Sequence, residues 1–293
     1  MIVSSTILLI MILSAFSAFV SYQGRTTTTT SFLFNEIKAS EFFQMLAVPS
    51  SGFLQTFPGS QVIYLADDQA LDYYALQSIF HSTGNSLASS EAQGINDSMP
   101  SWGGLYNYWN PAFVTLGDYP ENWTWSNGVD QQISSIISDG KNYTINATVF
   151  SPNPNFEYYN YADQEFYYSL WSLHAGNYSA AENAFRIANN FWNGYGFTDK
   201  DFTATNGKYT SYKLALDFIV WKSLKSNVNT ANFANGYVPE IKNVTSAMSL
   251  LQGSDGGVWT NYLVRGSVVY ANTSISLENG ESTSLFVLAS NIK

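Results

Sequence analysis

The chain has no cysteine and only two histidines among its 293 residues. Without disulfides, its stability must come from a buried core, and a chain of this length can cover about three quarters of its unfolded surface. Zinc centres in proteins are built mainly from cysteine and histidine, so the sequence predicts no zinc site. No calcium-loop spacing is present either, and we expect no metal.

Charged residues are also scarce, at 12% of the chain against about 25% in ordinary globular domains. The 12 Lys and Arg and 22 Asp and Glu give a net charge of -10. Nucleic acid is excluded as a partner because phosphates require a basic surface. Few cations also limit self-repulsion at low pH, where carboxylates are protonated. In this respect the composition resembles that of exported proteins of acidophilic archaea.

Several catalytic motifs are missing. The sequence has no glycine-rich phosphate loop, no Gly-x-Ser-x-Gly elbow and no His-Glu-x-x-His motif. We therefore expect no cofactor. A serine triad is disfavoured because neither histidine has a supporting signature beside it.

The N-terminus is a nearly uncharged apolar run over residues 2–20. Residues 1–21 are predicted to be either a cleaved signal peptide or a membrane anchor, and both alternatives place the rest of the chain outside the cell. A Thr-rich spacer is expected over residues 22–33, before a domain over residues 34–293. The predicted location is extracellular or at the cell surface, in contact with the cell envelope.

Asn-x-Ser/Thr sequons support the same location, since these sites are glycosylated only in exported proteins. The seven predicted glycosylation sites are Asn96, Asn122, Asn142, Asn146, Asn177, Asn243 and Asn272.

Two stretches of the chain resemble each other. Residues 66–81 and 162–174 each run from Ala-Asp through Tyr-Tyr-small-Leu to a histidine, with Gly-Asn following shortly after. Long-period self-similarity indicates a fold that repeats one helical unit. Each histidine falls at a helix C-terminus, where the dipole favours a cation, so a structural role is predicted for both.

Apolar spacing predicts an all-α fold of antiparallel helical hairpins. Residues 96–155 interrupt the pattern with repeated Pro and Gly and are expected to be a loop-rich insertion. Within it, residues 129–138 are predicted as a helix and residues 142–150 as a short strand. Elsewhere, helices are expected over residues 34–46, 67–80, 86–92, 163–174, 179–192, 208–225, 243–251 and 279–289.

These helical units resemble the α/α toroid enzymes, also called six-hairpin glycosidases. The resemblance covers about half of the chain. The segments that carry it are residues 161–193 with their Gly-Asn-Tyr turn, 196–199, 209–221, 255–262, 271–272 and 281–283. Fewer helices are expected than a complete ring requires, so the resemblance implies an incomplete (α/α)6 barrel.

In such a ring the N-termini of alternate helices share one rim, and the resemblance implies that carboxylates gather there around a sugar-binding mouth. Glycoside hydrolysis needs one protonated and one ionised carboxyl group. The predicted catalytic residues are Asp68, Asp163, Glu165 and Glu281, with Glu165 as the acid. An aspartate at a helix start can equally be a cap. The predicted substrate-binding residues are Trp102, Trp109, Tyr167, Asp255 and Trp259.

Function is therefore expected to be carbohydrate chemistry outside the cell, with a polysaccharide or glycan as partner. The leading prediction is a glycoside hydrolase that uses a carboxylate acid/base pair. The alternative is a non-catalytic glycan-binding or structural glycoprotein of the cell surface. A polysaccharide lyase is disfavoured because it needs a cation beside its base, and cations are few.

Overall fold

The computed structural model describes residues 31–65 and 67–292, without the side chain of Asp67. The expected signal or anchor segment and almost all of the Thr-rich spacer lie outside these residues. None of the helices in the described part combines the length and apolar character needed to cross a membrane.

The described residues form ten α-helices. They are α1 (Glu36–Leu46), α2 (Asp67–Thr83), α3 (Ser86–Ser98), α4 (Ala162–His174), α5 (Tyr178–Asn189), α6 (Lys200–Ala204), α7 (Tyr212–Ser226), α8 (Ala231–Asn235), α9 (Val238–Met248) and α10 (Gly280–Asn291). Asparagines cap several of them: Asn35, Asn85, Asn177 and Asn279 each accept a bond from a first-turn backbone N–H. Each helix expected from apolar spacing outside residues 96–155 has a counterpart, but two have different bounds. Residues 209–210 form a strand before α7, and the helix expected over residues 243–251 runs from Val238 to Met248. The short helices α6 and α8 were not predicted.

Four helices lie side by side at the centre of the fold. Helix α10 packs against α2 on one side and α7 on the other, and α7 also packs against α4. A 3₁₀ segment, Pro111–Leu116, contacts both α2 and α4 and links the two ends of the row. The remaining helices cover this row from outside, with α3 on α2, α5 on α4, and α8 and α9 on α7.

The four central helices begin at the same end of the molecule. The hydroxyl of Ser284, near the start of α10, donates to Asp72 Oδ1 near the start of α2 at 2.6 Å. Lys213 in the first turn of α7 forms an ion pair with Asp163 in the first turn of α4. The charge of Glu281 at the start of α10 acts on Tyr212 at the start of α7, which links the two pairs. We call this shared end, which the resemblance to α/α toroids implied, the N-terminal rim.

The prediction of an all-α fold is wrong, because the described residues also form three small sheets. Their strands are β1 (Val62–Tyr64), β2 (Ser126–Ser138), β3 (Lys141–Pro152), β4 (Tyr209–Thr210), β5 (Val258–Trp259), β6 (Asn261–Arg265), β7 (Val268–Tyr270) and β8 (Glu278–Asn279). The sheets have the orders β1-β3-β2, β4-β6-β7 and β5-β8. The fold is thus mixed, with helices at the centre and sheets at the edge.

The largest correction concerns residues 129–138, predicted as a helix but found in strand β2. Val129, Ile133, Ile136 and Ile137 fit helical spacing locally. The turn at Asp139 and Gly140, both with positive φ, instead joins β2 to β3 in a long antiparallel hairpin. The segment 96–155 is accordingly part hairpin and part 3₁₀ helix, whereas the strand predicted over residues 142–150 is confirmed as β3.

The buried Asp217 of α7 and the half-buried Glu240 of α9 form an acid pair. Asp217 is 0% exposed, and the amide of Asn189 donates to its Oδ1 at 3.3 Å. Burial first, and then the charge of Glu240, raises the pKa of Asp217 well above its usual range. Burial also raises the pKa of Glu240 to about 7. Protonated carboxyl groups are therefore part of the folded core at acidic pH.

This pair predicts a fold that is more stable in acid. The pKa of Glu240 is about 7 when folded and about 4.3 when unfolded, so the folded state binds more protons between these values. Its contribution to stability is complete below about pH 4 and is lost as the pH rises to about 7. We expect the melting temperature to fall over this window, and to fall less in Glu240→Gln. Exposed Glu121→Gln is the control, and identical slopes in wild type and Glu240→Gln would contradict the prediction.

The turn before β5 lies directly on the first helix. Gly256 has a φ of +102°, and a Cβ atom there would lie 1.9 Å from the carbonyl oxygen of Lys38. Nearby, the Lys38 ammonium donates to the carbonyl of Ser254 at 3.0 Å. Only glycine meets both the backbone conformation and the close approach.

Substitution at this turn is predicted to destabilise the fold. Gly256→Ala should lower the free energy of unfolding by about 3 kcal/mol, because strain and a backbone clash combine. Gly59 also has a positive φ, +81°, but a Cβ atom there meets nothing within 4 Å. Gly59→Ala should therefore cost only about 1 kcal/mol. Urea denaturation would measure both, and equal losses would show that the contact with Lys38 is unimportant.

Candidate functional site

The N-terminal rim holds a cluster of three carboxylates around one ammonium group. Asp163 comes from the first turn of α4, Asp199 and Asp201 come from the start of α6, and Lys213 comes from the first turn of α7. Lys213 Nζ lies 3.4 Å from Asp163 Oδ1, 2.5 Å from Asp199 Oδ2 and 2.6 Å from Asp201 Oδ2. These contacts join segments far apart in the chain.

Asp199 has a structural role in this cluster. Its Oδ2 accepts the backbone N–H of Ala162 at 2.9 Å, and its Oδ1 accepts the N–H of Phe202 at 3.4 Å. One side chain therefore caps α6 and binds the first residue of α4, while also contacting Lys213. Its side chain is only 1% exposed.

Lys213 is a buried cation whose side chain is 1% exposed. Burial alone would lower the pKa of its ammonium, but Asp163, Asp199 and Asp201 together raise it above its usual value. An ammonium at the start of α7 also opposes the helix dipole. The three carboxylates are what keep it charged in this position.

Asp201 is the most open member of the cluster, with 37% of its side chain exposed. Burial raises the pKa of its carboxyl, the nearby ammonium of Lys213 opposes that rise, and the charges of Asp163 and Asp199 add to it. Asp163 is less exposed, at 11% of its side chain, and the amide of Gln164 donates to its Oδ2 at 3.1 Å.

Asp163 and Asp201 open into one cleft of about 320 Å³, which we call the rim cleft. It lies between the base of the β2–β3 hairpin and the start of α4. Its residues are Ser126, Asn127, Gly128, Phe150, Phe156, Tyr161, Asp163, Gln164 and Asp201. A Cβ atom at Gly128 would lie 2.6 Å from the Thr148 side chain and 2.9 Å from the Phe150 ring, so any larger residue there would clash with both.

The three carboxylates offer oxygens that lie within 4.8 Å of one another, a spacing that could hold a metal ion. The ammonium of Lys213 already lies among them at ion-pair distance and supplies the positive charge. The residues therefore fit an ion-pair cluster better than a resident metal site.

Tyr212 connects this cluster to the predicted residue Glu281. Burial raises the pKa of the Tyr212 hydroxyl well above its usual value, and the charges of Asp163, Asp201 and Glu281 and the hydroxyl of Tyr167 raise it further. Asp163 and Tyr167 belong to α4, Tyr212 to α7 and Glu281 to α10. Asp163, Tyr167 and Glu281, predicted from the sequence, thus lie in one neighbourhood of the rim.

The other predicted catalytic residues lie apart from the rim cleft. Asp68 is 5% exposed and lies near Tyr64. Burial and a hydrogen bond to Asp130 raise the pKa of Tyr64 to about 12, and the charge of Asp68 adds to that rise. Glu165 is 2% exposed, and burial raises its pKa to about 7. Glu165 lies two residues after Asp163, and residues with that spacing face different sides of a helix. The charge of Glu165 contributes to the raised pKa of Tyr158. Both assignments remain predictions.

The predicted substrate-binding residues are spread over several places. Trp109 packs edge-on against Trp123 and Phe150, which brings it near the hairpin side of the rim cleft. Trp102 packs against the core under α1 and α2. Trp259 pairs with Glu278 in the β5–β8 sheet. None of these contacts tests a role in binding.

Asp255 belongs to a second carboxyl pair. Burial first, and then a hydrogen bond and charge repulsion from Asp255, raises the pKa of Glu278 to about 9. Glu278 itself is 6% exposed, whereas Asp255 is exposed. Burial and the neighbouring Asp255 thus both favour the protonated form of Glu278.

Six of the seven predicted glycosylation sites are exposed: Asn96, Asn122, Asn142, Asn177, Asn243 and Asn272. Asn146 differs because it lies in β3, between β1 and β2, and its side chain hydrogen-bonds to Tyr64. The six exposed sites remain predictions, and Asn146 is the least accessible to a glycan.

Sequence reasoning missed Asp199, Asp201 and Lys213. The signal available for Lys213 was its position four residues before Asp217 on an otherwise apolar helix. Residues with that spacing share a helix face, so this pattern could have indicated two charged groups on the buried side of α7. Nothing local indicated that the short segment with Asp199 and Asp201 would pack beside Asp163.

Comparisons with known proteins give little further information. No known family's sequence profile matches the chain, and no curated protein matches it. A structure of the GH76A alpha-1,6-mannanase from Salegentibacter sp. HEL1_6 aligns with 81% of this chain at 10% identity and a TM-score of 0.28. The chain spans 57% of that protein's length. Such a distant likeness supports no statement about reaction or substrate.

Proposed function

We propose that this protein binds a glycan in the rim cleft and hydrolyses a glycosidic bond there. The observation that carries the proposal is the pairing of Asp163 and Asp201. Both carboxyl groups line the same cleft, and their oxygens lie within 4.8 Å of each other. This upper limit is compatible with the separation of about 5 Å that is typical of glycosidases that retain configuration, and it is shorter than the separation in inverting enzymes.

The environments of the two carboxyl groups suit different roles. Asp163 lies in the first turn of α4, accepts a hydrogen bond from the Gln164 amide and contacts Lys213, and these surroundings suit a nucleophilic carboxylate. Lys213 lies closer to Asp201, but burial is the largest influence on the Asp201 carboxyl and raises its pKa, which favours a proton donor. Asp201 thus replaces Glu165 as the proposed acid, because Glu165 does not line the rim cleft.

The proposed reaction has two steps. Asp201 gives its proton to the glycosidic oxygen as the bond from that oxygen to the anomeric carbon breaks, and Asp163 forms a new bond to the same carbon. Asp201, now ionised, then takes a proton from a water molecule whose oxygen attacks the anomeric carbon and releases Asp163.

The walls of the cleft fit a neutral sugar. Phe150, Phe156 and Tyr161 provide rings that can lie against the apolar face of a pyranose. Asn127 and Gln164 provide amides that can bond to hydroxyl groups. No cationic side chain is among the residues of this cleft, so an anionic glycan lacks a partner.

An extracellular or cell-surface location, with contact to the cell envelope, forms part of the proposal. It rests on the apolar N-terminal run, the exposed sequons and the scarcity of charge.

A non-catalytic glycan-binding role is the second candidate. It is favoured by one observation: Lys213 contacts both cleft carboxylates, so their charges are already partly compensated. Structural ion pairs of this kind also perturb pKa values.

The two candidates differ in what the cleft acids do. On a panel of neutral oligosaccharides, Asp163→Asn and Asp201→Asn should each lower kcat by about 100-fold or more. Asp201→Asn should keep more activity on aryl glycosides, whose leaving groups need no proton, whereas Asp163→Asn should lose both activities. Asp139→Asn, in the hairpin turn, is the matched control because asparagine also tolerates its φ of +48°.

Binding should be measured on the same panel by calorimetry. Wild-type binding without turnover would reject hydrolysis in favour of the glycan-binding role. If Phe156→Ala and Tyr161→Ala left both binding and turnover unchanged, the rim cleft would not be the site.

A further inference from the structure

A single buried ammonium serves three carboxylates at the rim, only two of which open into the cleft. We infer that Lys213 is a positioning residue whose charge acts on both cleft carboxylates, and that Asp199 limits how much of that charge reaches them. This inference rests on the proposed function for its catalytic meaning. Its electrostatic content can be measured independently.

The geometry shows that the three carboxylates compete for the ammonium. Lys213 Nζ lies 2.5 Å from Asp199 and 2.6 Å from Asp201, but 3.4 Å from Asp163. Asp199 is fixed in this contact because backbone N–H groups of Ala162 and Phe202 also bind its oxygens. It therefore holds part of the ammonium's charge away from the cleft.

The position of Lys213 does not stabilise helix α7. A cation in the first turn of a helix opposes the dipole, and burying it adds a further cost. A neutral residue would suit α7 better if the cluster only had to fill space. The ammonium is useful where two cleft carboxyl groups have to remain close together without both taking up protons.

The groups that face this cluster come from four elements. Asp163 and Tyr167 belong to α4, Asp201 and the N-cap Asp199 to α6, Tyr212 to α7 and Glu281 to α10. Tyr212 also lies against the ammonium, with its ring centre 5.9 Å from Nζ. Tyrosines remain neutral at physiological pH, so Glu281 is the one further anion among these groups.

Two substitutions should move the pKa of Asp201 in opposite directions. Lys213→Met removes the positive charge, so the pKa of Asp201 should rise. Asp199→Asn keeps the size and the capping oxygen but removes a competing anion, so the pKa of Asp201 should fall. An opposite charge within about 4–6 Å changes a pKa by about 1–3 units, and we expect shifts of at least about one unit.

The first experiment is an NMR titration of carboxyl carbons in protein labelled with ¹³C-aspartate, followed for wild type, Lys213→Met and Asp199→Asn. Lys222→Met is the matched control: Lys222 lies on the same helix and forms no ion pair with the described carboxylates. Opposite shifts of the Asp201 resonance in the two cluster variants, with none in the control, support the inference. Shifts in the same direction, or none, overturn it.

The second experiment is the pH dependence of kcat/KM on a neutral oligosaccharide. The limb of the profile set by Asp201 should move to higher pH in Lys213→Met and to lower pH in Asp199→Asn. If Lys213 and Asp199 had only structural roles, both variants would lose activity, but their pH profiles would not shift in opposite directions. If no glycan is hydrolysed, the proposed function fails, but the NMR titration still decides the electrostatic inference. If Lys213→Met does not fold, Asp199→Asn alone decides, and an unshifted Asp201 overturns the inference.

Discussion

The buried ammonium of Lys213 holds together the end of the molecule where the chemistry is proposed. It ties the first turn of α7 to α4 through Asp163 and to α6 through Asp199 and Asp201. A buried ammonium without a carboxylate partner would cost free energy of folding. The starts of α4, α6 and α7 therefore cannot separate without exposing the Lys213 ammonium to water or leaving it unpaired. The arrangement of the rim cleft follows, because two of its carboxyl groups are partners of that ammonium.

A second constraint is the shortage of positive charge. Lys and Arg number only 12 against 22 Asp and Glu, so acids outnumber the cations that could neutralise them. The structure stabilises several of them as protonated groups instead, and burial raises the pKa of Glu165, Asp217, Glu240 and Glu278. Such a core suits acidic surroundings, where these carboxyl groups carry no charge. A core with protonated carboxyl groups also agrees with the low-charge composition. An acidic natural environment for the protein is a proposal.

The helical part of the fold was predictable because its information is local. The repeat around residues 66–81 and 162–174, with asparagines and glycines at helix ends, fixed the positions of α2 to α5 closely. Residues 129–138 were predicted wrongly because their apolar spacing fits a helix, and only pairing with β3 makes them a strand. Pairing of that kind depends on a partner strand and a turn, which a single stretch of sequence does not show.

The sequence by itself determined the class of candidate site and several of its residues. Acids at helix starts, few cations and no cofactor motif pointed to carboxyl groups at one rim, and Asp163 and Glu281 lie there. Only the tertiary structure decided which acids share the cleft, because Asp201 and Lys213 reach Asp163 from 38 and 50 residues away in the chain. Proton affinity depends on burial and on charges within a few ångströms, and these distances exist only once the helices have packed.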